Sequence, residues 1–496
     1  METNRRQFLA GAAWLGLAVA AGKAVGGVKI PEVPGTMFGY ADADLAARIA
    51  KGQKLRIGLV GLGMRGRGAA RRLPFIPGVE VVALCDIRRE PLDLIKKWYG
   101  ENGYAVPKEY FGPEAYKALC EADNVDLVYN CTPWALHTPI ACYAMEHGKH
   151  AAIEVPSAML LEECWQCVET AERTRRHCMQ LENCCYGGIE LTTLNLVRQG
   201  FYGELKYGEC AYMHDLRNNI SQSEQEGSYQ GSWRLKWNVA HKGNIYGTHG
   251  LVPQMQFMNI NRGEDRFDYL VSMECAPHGF ADWIGHHYPE DDWRRKLKIE
   301  SGDMNYTLIK TLKGRTILVE HDVQTERGYS RINLLQGTRG GSRGTFEREF
   351  ACGFHDDKGK ALPQEWIDPK SGRKFGGGRA WFENHMHPLL KSCGPLAKKM
   401  GGHDGMDFIM DLRLAYCLQN GLPLDQDVYD LASSCCIAEL SERSVRNRSR
   451  SEDIPDFTRG AWKTAKPLGI VDVDLAKLPG LTIDSIKADK DALEVS

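Results

Sequence analysis

The 496-residue chain has no apolar run long enough to cross a bilayer comfortably. Its candidate, residues 9–21, holds about a dozen residues where a spanning helix needs about 20. It has no charge excess: 62 Lys and Arg stand against 64 Asp and Glu, a formal net charge of −2. That balance points to neither nucleic acid nor an anionic membrane surface as partner. The charges are mixed in sign with no long like-charge block. There is no internal repeat and no sizeable low-complexity tract, which excludes solenoids and arrays. No Cys/His set has zinc spacing, so no metal is expected. Cysteine itself is not scarce, at 16 residues. Cys184-Cys185 and Cys435-Cys436 are adjacent, Cys164 and Cys167 lie three apart on a predicted helix, and most others fall in apolar patterns. They read as small buried hydrophobes, not as a disulfide framework.

What is present begins with a targeting pattern. Asn4-Arg5-Arg6-Gln7-Phe8-Leu9 is a twin-arginine motif, with Asn4 where Ser or Thr is usual. The apolar stretch follows it, and Ala18-Val19-Ala20 supplies a small-residue cleavage site. Residues 1–21 are therefore expected to be a signal that sends the folded protein to the periplasm or beyond. Residues 22–52, rich in Gly, Pro and Ala, read as an extended linker.

The stretch that organises the rest is LRIGLVGLGMRG, residues 55–66. Six apolar-rich residues predict a buried strand, which runs into Gly61, Gly63 and Gly66, a G-x-G-x-x-G pattern. Glycines there allow a tight turn and bring backbone N–H groups against a pyrophosphate, at the positive end of the next helix. A second predicted strand, residues 79–85, leads to Asp86, twenty positions beyond Gly66. An acid in that place accepts from a ribose 2′-hydroxyl and repels a 2′-phosphate, so NAD is favoured over NADP.

Strands and helices alternate to about residue 185, which predicts a doubly wound parallel sheet over residues 53–185. Tyr110 and Phe111 fall in a loop-like stretch. The buried strand at residues 126–131 delivers Trp134 and His137 to a loop at a strand's carboxyl end, where such folds place ligand contacts. The second half changes character. Successive strands at about residues 205–213, 269–274, 305–311, 316–321 and 330–336 predict an open antiparallel sheet in an α+β domain, residues 186–467. A polar loop spans 218–232, an apolar helix starts near Leu251, and 340–405 has no clear pattern. Helices at about 406–420 and 428–447 precede a tail, residues 468–496.

This layout resembles the glucose–fructose oxidoreductase and inositol dehydrogenase superfamily. That superfamily commonly carries Glu-Lys-Pro, with Lys as proton shuttle, where this chain has Glu154-Val155-Pro156. Val155 cannot carry a proton. The Glu-Val-Pro variant is similar instead to glycoside hydrolase family 109. So are Cys131-Thr132-Pro133-Trp134 with His137, residues 179–183 (MQLEN), His214-Asp215-Leu216-Arg217, Ile260-Asn261-Arg262-Gly263, Gly405-Met406-Asp407-Phe408 and Pro455-Asp456-Phe457. The resemblance covers about residues 54–467 and implies an NAD-dependent glycosidase, typically an α-N-acetylgalactosaminidase. In that family NAD+ takes hydride from C3 of the sugar and the ketone acidifies the C2 proton. The C1 substituent leaves, water adds and the hydride returns, an exception to the two-carboxylate rule.

The resemblance places NAD contacts at Met64, Arg65, Asp86, Trp134, Ala135, Leu136, His137, Glu154, Val155 and Asn183. It places substrate contacts at Tyr212, Arg234, Tyr246, Gly247, Thr248, His249 and Tyr329. Tyr246 and His249 are three apart and can face one sugar if that segment turns. His can accept a proton at neutral pH, whereas a tyrosine base needs its pKa lowered. Gly247 and Gly328 replace prolines usual in the family, which leaves the choice of sugar open. A homodimer is expected. A sugar dehydrogenase with net turnover and a non-catalytic exported sugar-binding protein are the alternatives.

Overall fold

The structure is a computed structural model, and it describes residues 35–222, 231–263, 265–467 and 472–482. The expected signal at residues 1–21 lies outside the described residues.

Leu55–Val60 forms β1, buried along nearly its whole length, as its apolar run requires. It is the third strand of a six-stranded sheet with β2 (Val79–Asp86), β3 (Lys108–Phe111), β4 (Leu127–Asn130), β5 (His150–Ile153) and β6 (Cys178–Gln180). The order is β3-β2-β1-β4-β5-β6, and every pairing is parallel. Parallel strands buried on both faces need helices above and below, and the chain supplies them between strands. The order reverses between β1 and β4, so a crevice opens at their carboxyl ends. Tyr110 and Phe111 are not loop: they lie in β3, a short edge strand paired to the end of β2.

The second half forms an eight-stranded sheet. β7 (Leu205–Met213), β8 (Phe267–Glu274), β9 (Asn305–Thr311), β10 (Thr316–Asp322), β11 (Leu334–Gly337), β12 (Gly340–Arg343) and β13 (Ala351–Phe354) take the order β13-β12-β11-β7-β10-β9-β8, and Glu452–Asp453 adds to β8. The sheet is mixed, not antiparallel throughout as the run of strands suggested, because β7 and β10 pair in parallel. After β7 the chain leaves the sheet through three helices, Arg217–Ser221, Gly231–Ala240 and Thr248–Phe257, before β8, which frees the β7 edge for a strand of like direction.

Several expectations are corrected locally. Residues 22–52 are not linker throughout: Ala43–Ala50 is an α-helix, capped by the Asp42 carboxylate accepting from Leu45 N–H. Within 218–232, residues 217–221 are helical, and Trp233 and Arg234 belong to a helix at Gly231–Ala240. The unpatterned segment 340–405 holds β12, β13, a two-stranded hairpin and helices at Gly377–His385 and Pro388–Met400. The last helix is two, Val428–Cys435 and Ile437–Arg446.

Met406–Asn420 is buried on almost every face. Its charged residues Asp407, Asp411 and Arg413 are buried with its apolar ones, and it packs under the first sheet. Its Asp411 accepts from Tyr129 of β4 at 2.9 Å and from Arg72 at 3.0 Å. The C-terminal half thus completes the core of the N-terminal sheet. All 16 cysteines are free thiols and most are buried.

Candidate active site

The cofactor end is set by the glycine turn. Gly61 has φ +86°, a conformation other residues resist, and a Cβ there would meet the Cys131 backbone at 2.8 Å. A Cβ on Gly66 would lie 1.8 Å from the Gly61 carbonyl oxygen, so only glycine lets the helix start this close to the turn. Helix Met64–Arg72 begins at Gly63 with no side-chain cap, leaving its first N–H groups to an anion. Asp86 ends β2 with its carboxylate fixed by N–H groups of Leu62 at 2.7 Å and Arg88 at 2.8 Å. Each oxygen keeps further acceptor capacity for a ribose diol. These features fit a dinucleotide without a 2′-phosphate.

Arg65 is committed elsewhere by its side chain. Its guanidinium reaches Glu154 at 2.9 Å, Asp407 at 2.9 Å and His403 Nδ1 at 3.0 Å, and Asn183 donates to the same Asp407 at 2.7 Å. Arg65, Glu154 and Asn183 are therefore joined, through an aspartate from the second half of the chain. Met64 is half-buried beside them. Trp134 is buried; Ala135 and Leu136 are exposed at the rim. The ring nitrogens of His137 lie on the carbonyls of Pro156 at 2.7 Å and Thr132 at 2.6 Å. It braces two cofactor-side loops.

The substrate end gathers where the two sheets meet. Trp134 and Val155 share one apolar cluster with Tyr212 and Tyr246. Tyr246 stacks on Trp134 with ring centroids 5.7 Å apart, and Tyr212 lies 4.7 Å from Tyr246 and 5.0 Å from His249. Gly247 caps helix Thr248–Phe257, which puts Thr248 and His249 in its first turn. A Cβ on Gly250 would sit 2.6 Å from Ala211 N, so glycine presses this turn onto β7. The Tyr246 hydroxyl lies 3.3 Å from His249 Nε2, and His249 Nδ1 lies 2.5 Å from Glu182 Oε1. Arg234 is only 4% exposed, with its guanidinium 5.2 Å over Trp134 and 4.8 Å over Tyr246. Its Nε and Nη2 have no partner among the described residues, an arrangement costly unless a ligand oxygen arrives. Tyr329 stands 6.3 Å from Tyr212, with its hydroxyl accepting from Arg331 at 2.8 Å.

Burial pushes the Tyr246 hydroxyl well above its usual range, and Tyr212 adds to this while Arg234 opposes it. Tyr246 alone keeps its proton. Burial also raises Glu182, but His249 and the Cys184 N–H outweigh it and hold the carboxyl below its ordinary value. Two further histidines are kept neutral: His214 is pushed down to about 4 and His321 to about 3, by burial first and then by Arg234.

Sequence reasoning missed Glu182, His214, His321, His403 and Asp407 as neighbours of the site. Glu182 carried a signal, as the acid that follows a buried strand at its carboxyl end. His321 carried none, since its place depends on pairing opposite Tyr212 in β7. Glu182, Cys184 and His249 offer donor atoms within 4.8 Å of one another, but the carboxylate and imidazole already bond each other.

Residues 55–181 match the oxidoreductase family with an NAD-binding Rossmann fold, and residues 186–464 match the C-terminal domain of glycosyl hydrolase 109. A glycosyl hydrolase family 109 protein of Shewanella woodyi is 48% identical over 421 residues, covering 84% of this chain and 88% of that one. An alpha-N-acetylgalactosaminidase of Bacteroides fragilis is 45% identical over 411 residues, covering 82% and 93%. An NAD binding oxidoreductase of Klebsiella pneumoniae shares the fold at 16% identity, with TM-score 0.60 over 81% of this chain and 99% of that one. Levoglucosan dehydrogenase, solved with NADH and L-sorbose, shares it at 18% identity and TM-score 0.60, over 82% and 100%. Similarity that runs through both halves makes the chain a member of glycosyl hydrolase family 109, an NAD-dependent glycoside hydrolase built on an oxidoreductase fold.

Proposed function

We propose that the enzyme hydrolyses terminal α-N-acetylgalactosaminides by transient oxidation of the sugar, with its NAD held from one turnover to the next. The observation that carries this reading is the Tyr246–His249 hydrogen bond beside Trp134, at the place where Val155 stands instead of a proton-shuttling lysine. Bound nicotinamide supplies a two-electron acceptor that returns what it takes. The chain's own groups do the rest. Arg234 binds a hydroxyl or the acyl oxygen of the N-acetyl group. Tyr246 and His249 take up protons released in turn by oxidation of the sugar hydroxyl and by ionisation at C2. Tyr212 and Tyr329 wall the sugar, and Glu154 and Asn183 border the nicotinamide. The name of the Bacteroides fragilis relative supports this substrate class.

Export by the twin-arginine route belongs to the same proposal. A folded protein leaves with its cofactor loaded, and a cofactor regenerated each turn needs no NAD pool outside the cytoplasm. Among the described residues no helix is long and apolar enough to cross a membrane. A homodimer is part of the reading, tested by mass in solution.

Desalted enzyme is expected to release the aglycone from an aryl α-N-acetylgalactosaminide with no NAD added. Absence of release across a panel of aryl glycosides overturns the proposal. Steady accumulation of NADH with free sugar and excess NAD would make it a dehydrogenase instead.

A further inference from the structure

We infer that Glu182 is a positioning residue that fixes the tautomer of His249 and so gives Tyr246 somewhere to send its proton. This rests on the glycosidase reading for its kinetic consequences, though not for its geometry. Glu182 follows β6 and is 0% exposed. A carboxylate so placed is costly unless its lone pairs are used. Two groups use those of Oε1, His249 Nδ1 at 2.5 Å and the Cys184 N–H at 3.1 Å, while Oε2 has no hydrogen-bond partner among the described residues. Gln426 donates to the Glu182 carbonyl at 3.2 Å and pins the backbone.

An ionised carboxylate only accepts, so Nδ1 of His249 carries the hydrogen. In the neutral ring Nε2 is then bare and faces the Tyr246 hydroxyl at 3.3 Å, which donates to it. When the Tyr246 oxygen accepts a proton from the sugar, its own proton passes to Nε2. The imidazolium that forms lies against a carboxylate that stays ionised. One O–H bond and one N–H bond form, one O–H bond and one sugar bond to hydrogen break, and no electrons leave the sugar in this step. Without the carboxylate the ring can place its hydrogen on Nε2, and Tyr246 loses its acceptor.

The test uses the enzyme with its own bound cofactor and compares Glu182→Gln, Glu182→Asp and His249→Ala. A glutamine can present its N–H₂ to Nδ1 and force the wrong tautomer. The expected result for Glu182→Gln is a fall in kcat of about 10²–10⁴, with KM and retained nicotinamide changed less than about threefold. The acidic limb of the kcat/KM profile moves with it, and Glu182→Asp recovers about tenfold or more over Gln. In the ¹⁵N spectrum of histidine-labelled parent, the signal lost in His249→Ala should show Nδ1 protonated and Nε2 bare, and Glu182→Gln should change it. Unaltered kcat and pH limb in Glu182→Gln, or an Nε2-protonated ring in the parent, overturns the inference. A parent that cleaves no glycoside overturns the glycosidase reading, and the tautomer then decides the role of Glu182 by itself.

Discussion

His214, just past the end of β7, and His321 of β10 are both held below the usual histidine range, by burial first and then by the charge of Arg234. Their folded pKa values, about 4 and about 3, lie below the unfolded value. The unfolded chain therefore binds protons first as pH falls, and the native state loses stability on the acid side. Their contribution is complete above about pH 6.5, and it declines as pH falls toward 4. Thermal melts should show a flat Tm above about pH 7 and a falling Tm below about pH 6, less steep in His321→Asn. In the proposed mechanism Tyr246 and His249 carry the proton transfer. His249→Ala should lower kcat by about 10²–10⁴ while leaving bound nicotinamide in place, as read by its absorbance after purification. The two glycines that replace prolines differ in kind. A Cβ on Gly247 would meet Asn244 Oδ1 at 2.7 Å, whereas Gly328 has nothing within 4 Å. Gly247→Ala should therefore lower Tm, and Gly328→Ala should be neutral or stabilise by about 0.4–1 kcal/mol through the unfolded chain. The glycine turn and the acid that closes β2 were legible from their spacing. That the Arg65 side chain is spent on Glu154 and Asp407 was not, because Asp407 lies 342 positions away.

Among elements, the helix Met406–Asn420 ties the halves together. Its Asp407 sits between Arg65 and Arg72, at 2.9 Å and 3.5 Å. Breaking a buried pair strands the remaining charge, so Asp407→Asn should destabilise by about 3–5 kcal/mol in urea titrations. It should also loosen retained nicotinamide, since Arg65 lies on the cofactor helix. The helix Ala43–Ala50 shows why a composition reading failed there. Gly and Pro crowd the residues before it and obscure one short amphipathic stretch. Asp42 caps it and also pairs with His150 and Arg176 at 3.1 Å each. The long strands were legible because burial on both faces gives a continuous apolar run, as in β1, and burial on one face gives an alternation, as in β9. The strands of 340–405 were not, since three or four residues carry too little periodicity to read, and its helices Gly377–His385 and Pro388–Met400 are masked by Gly377, Gly378, Gly394 and Pro395.

At the scale of the whole molecule, the cofactor crevice and the aromatic cluster are two sides of one seam. Stripped enzyme should regain stability with NAD, by about 2.7 kcal/mol at a hundredfold excess over Kd, in thermal-shift titration. NADP should give much less, because the Asp86 carboxylate repels a 2′-phosphate, and Asp86→Ser should narrow the gap.

The sequence by itself determined the nucleotide turn, the preference for NAD, the change of architecture near residue 185 and the pairing of Tyr246 with His249. Each depends on residues close along the chain, where chemistry and spacing are local. Tertiary structure alone decided that Glu182 backs His249 across 67 positions and that β7 and β10 run parallel. It also decided that two buried histidines, His214 and His321, come within the influence of the Arg234 charge. Those follow from how distant segments share a crowded core, where a buried charge must find its partner wherever the fold brings one within reach.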